Sequence, residues 1–599
     1  MIYHCEDYTC NYWDEGEKLP ERCPQCGRKL LRANEADMTG DDWTALGNTL
    51  WDAEASDKKR MVDCFRKAAY LGSAWGVCNL GICMEQGNGV EADPVQAFWL
   101  YQQAVEMGSL NAVCCLGVCY EYGIGTAPDA EKAAELYCKA AEYGSPRGQM
   151  LLARAFHDGI GVEADAAEAV YWVRAAAYQR YGEGMYRLGV CYEYGDGVEQ
   201  NWEHAVHWFR EAAESGVSVA MAVLGYCYEK GCGVEQSWEQ AFSWYRRGAE
   251  CGYPVSMGNL GLCYKKGHGV EQNWQEAIKW YEQGAQCGDL QSMHNLACCY
   301  ERGEGVEQNE ERALYWYRRS AEGGNGVAMC NLGWCYKRGY GVEQNWQEAV
   351  KWYEQGAQCG NLQSMHSLAY CYERGEGVKQ NMTEAIRWYT AAAEGGNADA
   401  MHNLGWHYDY GEGVEQDMKK AICWYERAAE QNHPAAMNSL GECYAMGLGV
   451  PRDLETAMEW YRRAAELGEA MADYNMGWHL EQAGKLSEAY AHYRKAADGN
   501  DDSAWWALGR FYENGVVVVQ DGKEARCCYE TGEKLGSVKC KMRLARCKLL
   551  GIGGRRAKKA GLDLCRQALE LAKESSEKED YGYEAEMNLL RRTIAENES

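Results

Sequence analysis

One interval constrains this chain more than any other feature. A Leu-Gly, Leu-Ala or Met-Gly dipeptide begins at Leu80, Leu116, Leu152, Leu188, Leu224, Leu260, Leu296, Leu332, Leu368, Leu404, Leu440 and Met476, and every step is 36 residues. Leu46 precedes the series by 34 residues, Leu508 follows it by 32, and Leu544 by a further 36, giving about 15 units. A fixed period of this length predicts a stacked solenoid, in which each unit buries its apolar face only on its neighbours. The same architecture explains how 599 residues fold without the single large core that compact domains rarely exceed.

The unit is clearest at residues 273–308. Asn273 stands where a helix cap belongs and Glu276 follows three residues later, the spacing of a capping box. Ala277, Trp280, Tyr281, Gly284 and Ala285 then mark one face of a helix. Gly288 predicts its end, because glycine accepts positive φ there. A second helix is predicted from about Ser292 to Arg302, with Met293, Leu296, Ala297 and Tyr300 on one face, and Gly303-Glu304-Gly305-Val306 leads into the next cap. Gly261, Gly333 and Gly405 fall inside predicted helices, where each costs about 1 kcal/mol against Ala. Their recurrence implies helices packed too closely for a larger side chain.

A helix pair with Leu-Gly-x-x-Tyr, a Gly-x-Gly-Val loop, an Asn or Asp cap and a Trp-Tyr-x-x-Ala-Ala-Glu helix resembles the Sel1-like repeat, a longer-looped relative of the tetratricopeptide repeat. The resemblance covers roughly residues 40–575. It implies an all-α, right-handed superhelical solenoid of about 15 helix pairs, used as an adaptor that binds protein or peptide on its concave face.

Charge and cysteine content narrow the function classes. The formal net charge is −28 and the pI near 5.0, which argues against a nucleic-acid sheath and matches a basic protein or peptide partner. Apolar residues reach 47% but never form the ~20-residue run of a membrane helix, and the polar start lacks the pattern of an export signal. A cytoplasmic protein with reduced thiols is therefore expected. Nine of the 30 cysteines share one repeat position: Cys83, Cys119, Cys191, Cys227, Cys263, Cys299, Cys335, Cys371 and Cys443. Equivalent positions in stacked helices lie ~10 Å apart, beyond disulfide reach, so this ladder reads as small buried packing. A secreted, disulfide-stapled Sel1-like effector is the rival reading, and it calls for a regular second cysteine per unit.

The ends differ from the middle. Cys5 with Cys10, and Cys23 with Cys26 in Cys-Pro-Gln-Cys-Gly, form two pairs able to close a structural, tetrahedral Zn²⁺ site in a zinc ribbon spanning residues 1–34, with iron in a rubredoxin-like site and unligated thiols as the alternatives. Residues 31–40 read as a polar linker, 35–575 as the solenoid, and 576–599 as a polar capping helix and tail.

The candidate binding face follows from position in the unit. The residue before Leu-Gly is Asn259, Asn295, Asn331 and Asn403; one residue earlier stand His294, His366 and His402; two residues after the Leu stand Trp334 and Trp406. The resemblance implies that the Asn positions face the concave groove, where an amide both donates to and accepts from a peptide backbone. The competing reading is that Asn ties adjacent helices together and Trp fills gaps between units. An enzyme, such as the hydrolase implied by the β-lactamase label of some cysteine-rich Sel1-like proteins, finds no nucleophile with an activating base here. His204 and His207 are replaced by Glu276 and Lys279 two units on, as expected of surface positions.

Overall fold

The structure, a computed structural model, describes residues 2–5, 13–15, 30–33, 38–51, 55–578 and 583–598. The chain divides into two compact units, Met1–Gln308 and Asn309–Ser599. Each is a stack of antiparallel helix pairs, and the described residues hold 31 helices. Most helices are 13 residues long, such as Pro254–Lys266, Trp274–Gln286 and Leu290–Arg302.

Local sequence accounts for these boundaries. Asn273 accepts from the Glu276 backbone N–H at 3.1 Å. The reciprocal half of the expected capping box is absent, because the Asn273 N–H already donates to Tyr264 O at 2.9 Å. Ser237, Asn345 and Asn381 are tied in the same way to Tyr228, Tyr336 and Tyr372. Gly288 has φ +91° and follows the helix end, as expected. The next helix starts at Leu290, two residues ahead of the predicted Ser292, because Asp289 caps it by accepting from Ser292 N–H at 2.7 Å. In the connecting loop Gly267 and Gly269 have φ +72° and +70°. At Gly269 a Cβ would also collide with the Trp238 carbonyl. Val517 holds the equivalent place near the C-terminal end at φ +67°, a strained state for a β-branched residue. The run Val516–Val518 is thus the Gly-x-Gly-Val loop with valines substituted into it.

Two small-residue contacts set how the helices pack. A Cβ at Gly261 would lie 2.7 Å from ring carbons of Tyr281, on the helix that follows across the loop. Gly225 on Tyr245, Gly333 on Tyr353, Gly405 on Tyr425 and Gly441 on Tyr461 repeat this fit. The mid-helix glycines therefore make room for a buried ring, and the closest pair is a Leu-Gly helix with the Trp-Tyr helix after it. The second contact joins each Trp-Tyr helix to the next Leu-Gly helix. There Gly248, Gly284 and Gly356 face Ser256, Ser292 and Ser364, whereas Ala68, Ala140 and Ala176 face Gly76, Gly148 and Gly184. Where one partner lacks a Cβ the other supplies bulk, as dense packing requires.

The cysteine ladder is buried as expected: Cys83, Cys119, Cys227, Cys299, Cys335 and Cys371 are fully buried, and Cys191 is the most exposed member. The 26 cysteines whose side chains are described are free thiols. Within the ladder, burial raises the pKa values of Cys227, Cys263 and Cys443 to about 12.

At the N-terminus Ile2–Cys5, Trp13–Glu15 and Leu30–Ala33 form an antiparallel sheet with Ile2–Cys5 in the centre. The last strand runs into the stretch expected to be a polar linker. Cys10, Cys23 and Cys26 lie outside the described residues, and so does the side chain of Cys5, whose backbone closes the central strand. At the C-terminus, Lys558–Lys578 is followed by Glu584–Glu598. The final helix is less polar than its sequence suggested. It buries Met587 and Leu590, and Glu586 takes a bidentate pair from Arg543 at 2.6 and 2.7 Å.

Candidate functional site

Within each unit, successive Leu-Gly helices pack directly beside one another, as Pro254–Lys266 does with Leu290–Arg302 and Gly326–Arg338 with Leu362–Arg374. The residues before the Leu-Gly pair therefore share one face of one layer. Asn259 and Asn295 lie on this face of the first unit, Asn331 and Asn403 on that of the second, all half-buried.

In the second unit these positions form a connected polar row. The Asn403 amide lies 3.1 Å from His366 Nε2. Ser439 Oγ lies 3.5 Å from His402 Nε2. Asn475 donates to Asn438 Oδ1 and to Glu442 Oε1, each at 3.0 Å. The rule is the same each time: the residue just before the Leu reaches the residue two before the Leu in the preceding repeat. In the first unit Asn79 obeys a variant of it, donating to Asn48 Oδ1 at 2.7 Å. There Asn295 accepts from Gln291 within its own helix at 3.1 Å, and Gln291 also lies 3.4 Å from His294 Nδ1. Much of the amide capacity is thus spent between or within repeats, as the structural reading of these residues requires.

The histidines are neutral at pH 7, because burial lowers the pKa values of His294 and His366 and, most of all, His402. His402 falls from 6.5 to about 4, first through burial and then through neighbouring His433, which stacks on it at 5.1 Å. Asn403 and Asp399 oppose this shift. The unfolded chain therefore takes up a proton between these two values and the folded chain does not. Stability is full above pH 6.5 and falls as pH drops toward 4. We expect His402→Gln to flatten the pH dependence of the thermal midpoint in that window, by roughly 3 kcal/mol at its acidic end. Parallel curves for variant and wild type would refute the assignment.

Trp334 and Trp406 are half-buried and pack on aromatic rings near the ends of their own helices, Tyr340 at 5.5 Å and Tyr410 at 4.9 Å. They border the row without joining its hydrogen bonds. Sequence reasoning missed Glu442 and Asn438. Glu442 occupies the slot of Trp334 and Trp406, and its burial between Asn438 and Asn475 raises its pKa. The signal was available: a carboxylate where sister units place an aromatic ring. Among the described residues no cluster of three or more His, Cys, Asp or Glu is arranged to hold a metal. No helix among them is long and apolar enough to cross a membrane.

Comparison with known proteins agrees with this geometry. The Sel1 repeat family model matches 13 consecutive segments, from residues 76–109 to 504–537. Each match through residue 469 starts at or near a Leu-Gly helix and ends after the following Trp-Tyr helix, the pairing that the ring-on-glycine contact selects. Among solved structures, c5321, a protective antigen of uropathogenic Escherichia coli with an SLR fold, is 32% identical, spans 75% of this chain and 97% of its own, and superposes with a TM-score of 0.52. A Sel1 repeat protein from Oxalobacter formigenes is also 32% identical, covering 41% of this chain and 96% of its own, with a TM-score of 0.37. No curated protein sequence matches the chain.

Proposed function

We propose, from the premise that this chain belongs to the Sel1 repeat family, that it is a non-enzymatic scaffold which seats a protein or extended peptide on its Leu-Gly face. The observation that carries this reading is the row His366–Asn403, His402–Ser439 and Asn438–Asn475–Glu442. Side chains already fixed by neighbours lose little entropy on binding, and half-buried amides keep donors and acceptors for an incoming backbone. With a net charge of −28, the favoured partner is basic, and the complex weakens with salt.

The free thiols fit a reducing compartment, and we assign the protein to the cytoplasm. We assign Cys5, Cys10, Cys23 and Cys26 to a structural Zn²⁺, a reading supported by their two-pair spacing and by the three-stranded sheet whose central strand ends at Cys5. Metal analysis of the purified chain tests this, with one zinc per chain expected and none after all four are changed to Ser.

The functional test is affinity capture from a lysate of the source organism. The baits are the full chain and a variant with Asn259, Asn295, Asn331 and Asn403 changed to Ala. A partner held by the first and lost by the second, at equal helicity and thermal midpoint, supports the face. A partner held equally by both baits places binding elsewhere on the protein.

A further inference from the structure

The ring that sits on each Leu-Gly pair is present from Phe65 to Tyr529, with one exception. Phe65, Tyr101, Tyr137, Phe209 and Tyr245 recur at this position, but the repeat between Tyr137 and Phe209 has Val173. The residue beneath it is Ala153. Two small side chains thus replace the ring-on-glycine fit, and a cavity of about 570 Å³ opens there, lined by both. That volume is within the range of small-ligand sites, roughly 300–1,000 Å³. Its apolar wall is Leu151, Ala153, Val170, Val173 and Val190.

The rim is polar and unevenly paired. His157 replaces the carboxylate that receives the tyrosine hydroxyl elsewhere, as Glu121 does for Tyr137 and Glu229 for Tyr245. It lies 2.6 Å from Asp158 and 3.2 Å from Asp196, and the hydrogen bond to Asp158 and the nearby Asp196 charge raise its pKa. Arg154 is engaged with Glu121 at 2.5 Å, although its Nε is buried without a partner. Two guanidinium groups remain. Arg147 meets Asn111 Oδ1 at 3.1 Å and Cys115 Sγ at 3.6 Å, and pairs with no carboxylate among the described residues. Arg187 lines the rim, exposed and in no ion pair among the described residues. Glu183 is an opposing charge, beside Asp158 and Asp196 around His157, and Tyr181 adds a hydroxyl whose pKa burial raises.

The geometry points to a binding site for a small organic acid, whose apolar body occupies the place of the missing ring and whose carboxylate meets Arg147 and Arg187. An arylalkanoate matches both halves: its ring replaces the absent tyrosine ring, and its acid lies within reach of a charged rim that an alcohol cannot use.

Calorimetric titration of the full chain with sodium 3-phenylpropionate tests this. We expect one saturable site with Kd below about 1 mM. The isosteric neutral 3-phenylpropan-1-ol is expected to bind about tenfold more weakly, and Arg187→Gln, at an exposed position, to cost the acid about tenfold. Val173→Phe restores the ring of the neighbouring repeat at Phe209. It should raise the thermal midpoint and abolish saturable binding. Equal binding of acid and alcohol, unchanged binding by folded Val173→Phe, or no binding by the wild type would each overturn the proposal.

Discussion

Changing Tyr245 and Tyr281 to Phe is expected to shift stability in opposite directions, although the two residues hold the same place in neighbouring repeats. Both rings are fully buried and both rest on a glycine, Gly225 and Gly261. The Tyr245 hydroxyl donates to Glu229 at 2.9 Å. The residue equivalent to Glu229 is Lys265, whose ammonium is held by Glu304 at 2.9 Å, and the Tyr281 hydroxyl is buried with no partner. Tyr245→Phe therefore removes a bond to a charged acceptor and costs about 1.5 kcal/mol, whereas Tyr281→Phe removes an unsatisfied hydroxyl and gains about 1 kcal/mol. Removing the ring is larger than either: Tyr245→Ala should cost about 3–5 kcal/mol through the cavity it leaves. Hydrogen exchange of the amides in Ser218–Lys230 and Trp238–Glu250 for Tyr245, and in Pro254–Lys266 and Trp274–Gln286 for Tyr281, resolves these effects repeat by repeat, since about 1.4 kcal/mol of local opening energy is a tenfold change in rate. Slower exchange in Tyr245→Phe, or faster exchange in Tyr281→Phe, would contradict the hydrogen-bond assignment.

The second large effect is expected at the C-terminal cap. Glu586 is 6% exposed, and its ion-pair partner Arg543 also reaches Glu513 at 3.3 Å. Arg546 is the other cation on Glu513. Glu586→Ala leaves a buried guanidinium half-paired and should cost about 3–5 kcal/mol, releasing the helix Glu584–Glu598. The double change Arg543→Met with Glu586→Leu removes both charges, leaves Arg546 on Glu513, and should recover most of that loss. Exchange protection across residues 584–598 and the thermal midpoint report both variants. A double variant no better than Glu586→Ala would show that the ion pair itself, rather than the avoidance of an unpaired charge, holds the cap.

The period, the helix faces and the close approach at Gly261, Gly333 and Gly405 were legible in the sequence because each depends on spacing along one helix or on recurrence at 36 residues. The contacts that a reader of one helix cannot see were not. The capping boxes lost their reciprocal half because the cap N–H groups serve Tyr264 and its counterparts on the preceding helix. The Asn positions share one face of the Leu-Gly layer within each unit, but part of their hydrogen-bonding capacity was spent on side chains 31 to 37 residues away, as at Asn79, Asn403 and Asn475. The void beside Val173 needed two facts at once: a missing ring, and a small residue 20 positions earlier that did not grow to replace it.

The two glycine contacts also bear on how such a chain lengthens. The pair whose members vary, Gly284 with Ser292 or Ala140 with Gly148, is separated by eight residues and never spans a Gly-x-Gly-Val loop. The pair that does span it, Gly261 with Tyr281, is nearly the same in every repeat. A gene duplication with its ends in those loops copies each varying pair intact, and exchanges only partners that are interchangeable. Residues 273–309 and 345–381, which differ at five of 37 positions, carry matching copies of the varying pair, Gly284 with Ser292 and Gly356 with Ser364. The loop is therefore the one seam at which this protein can gain or lose repeats without repacking its interior.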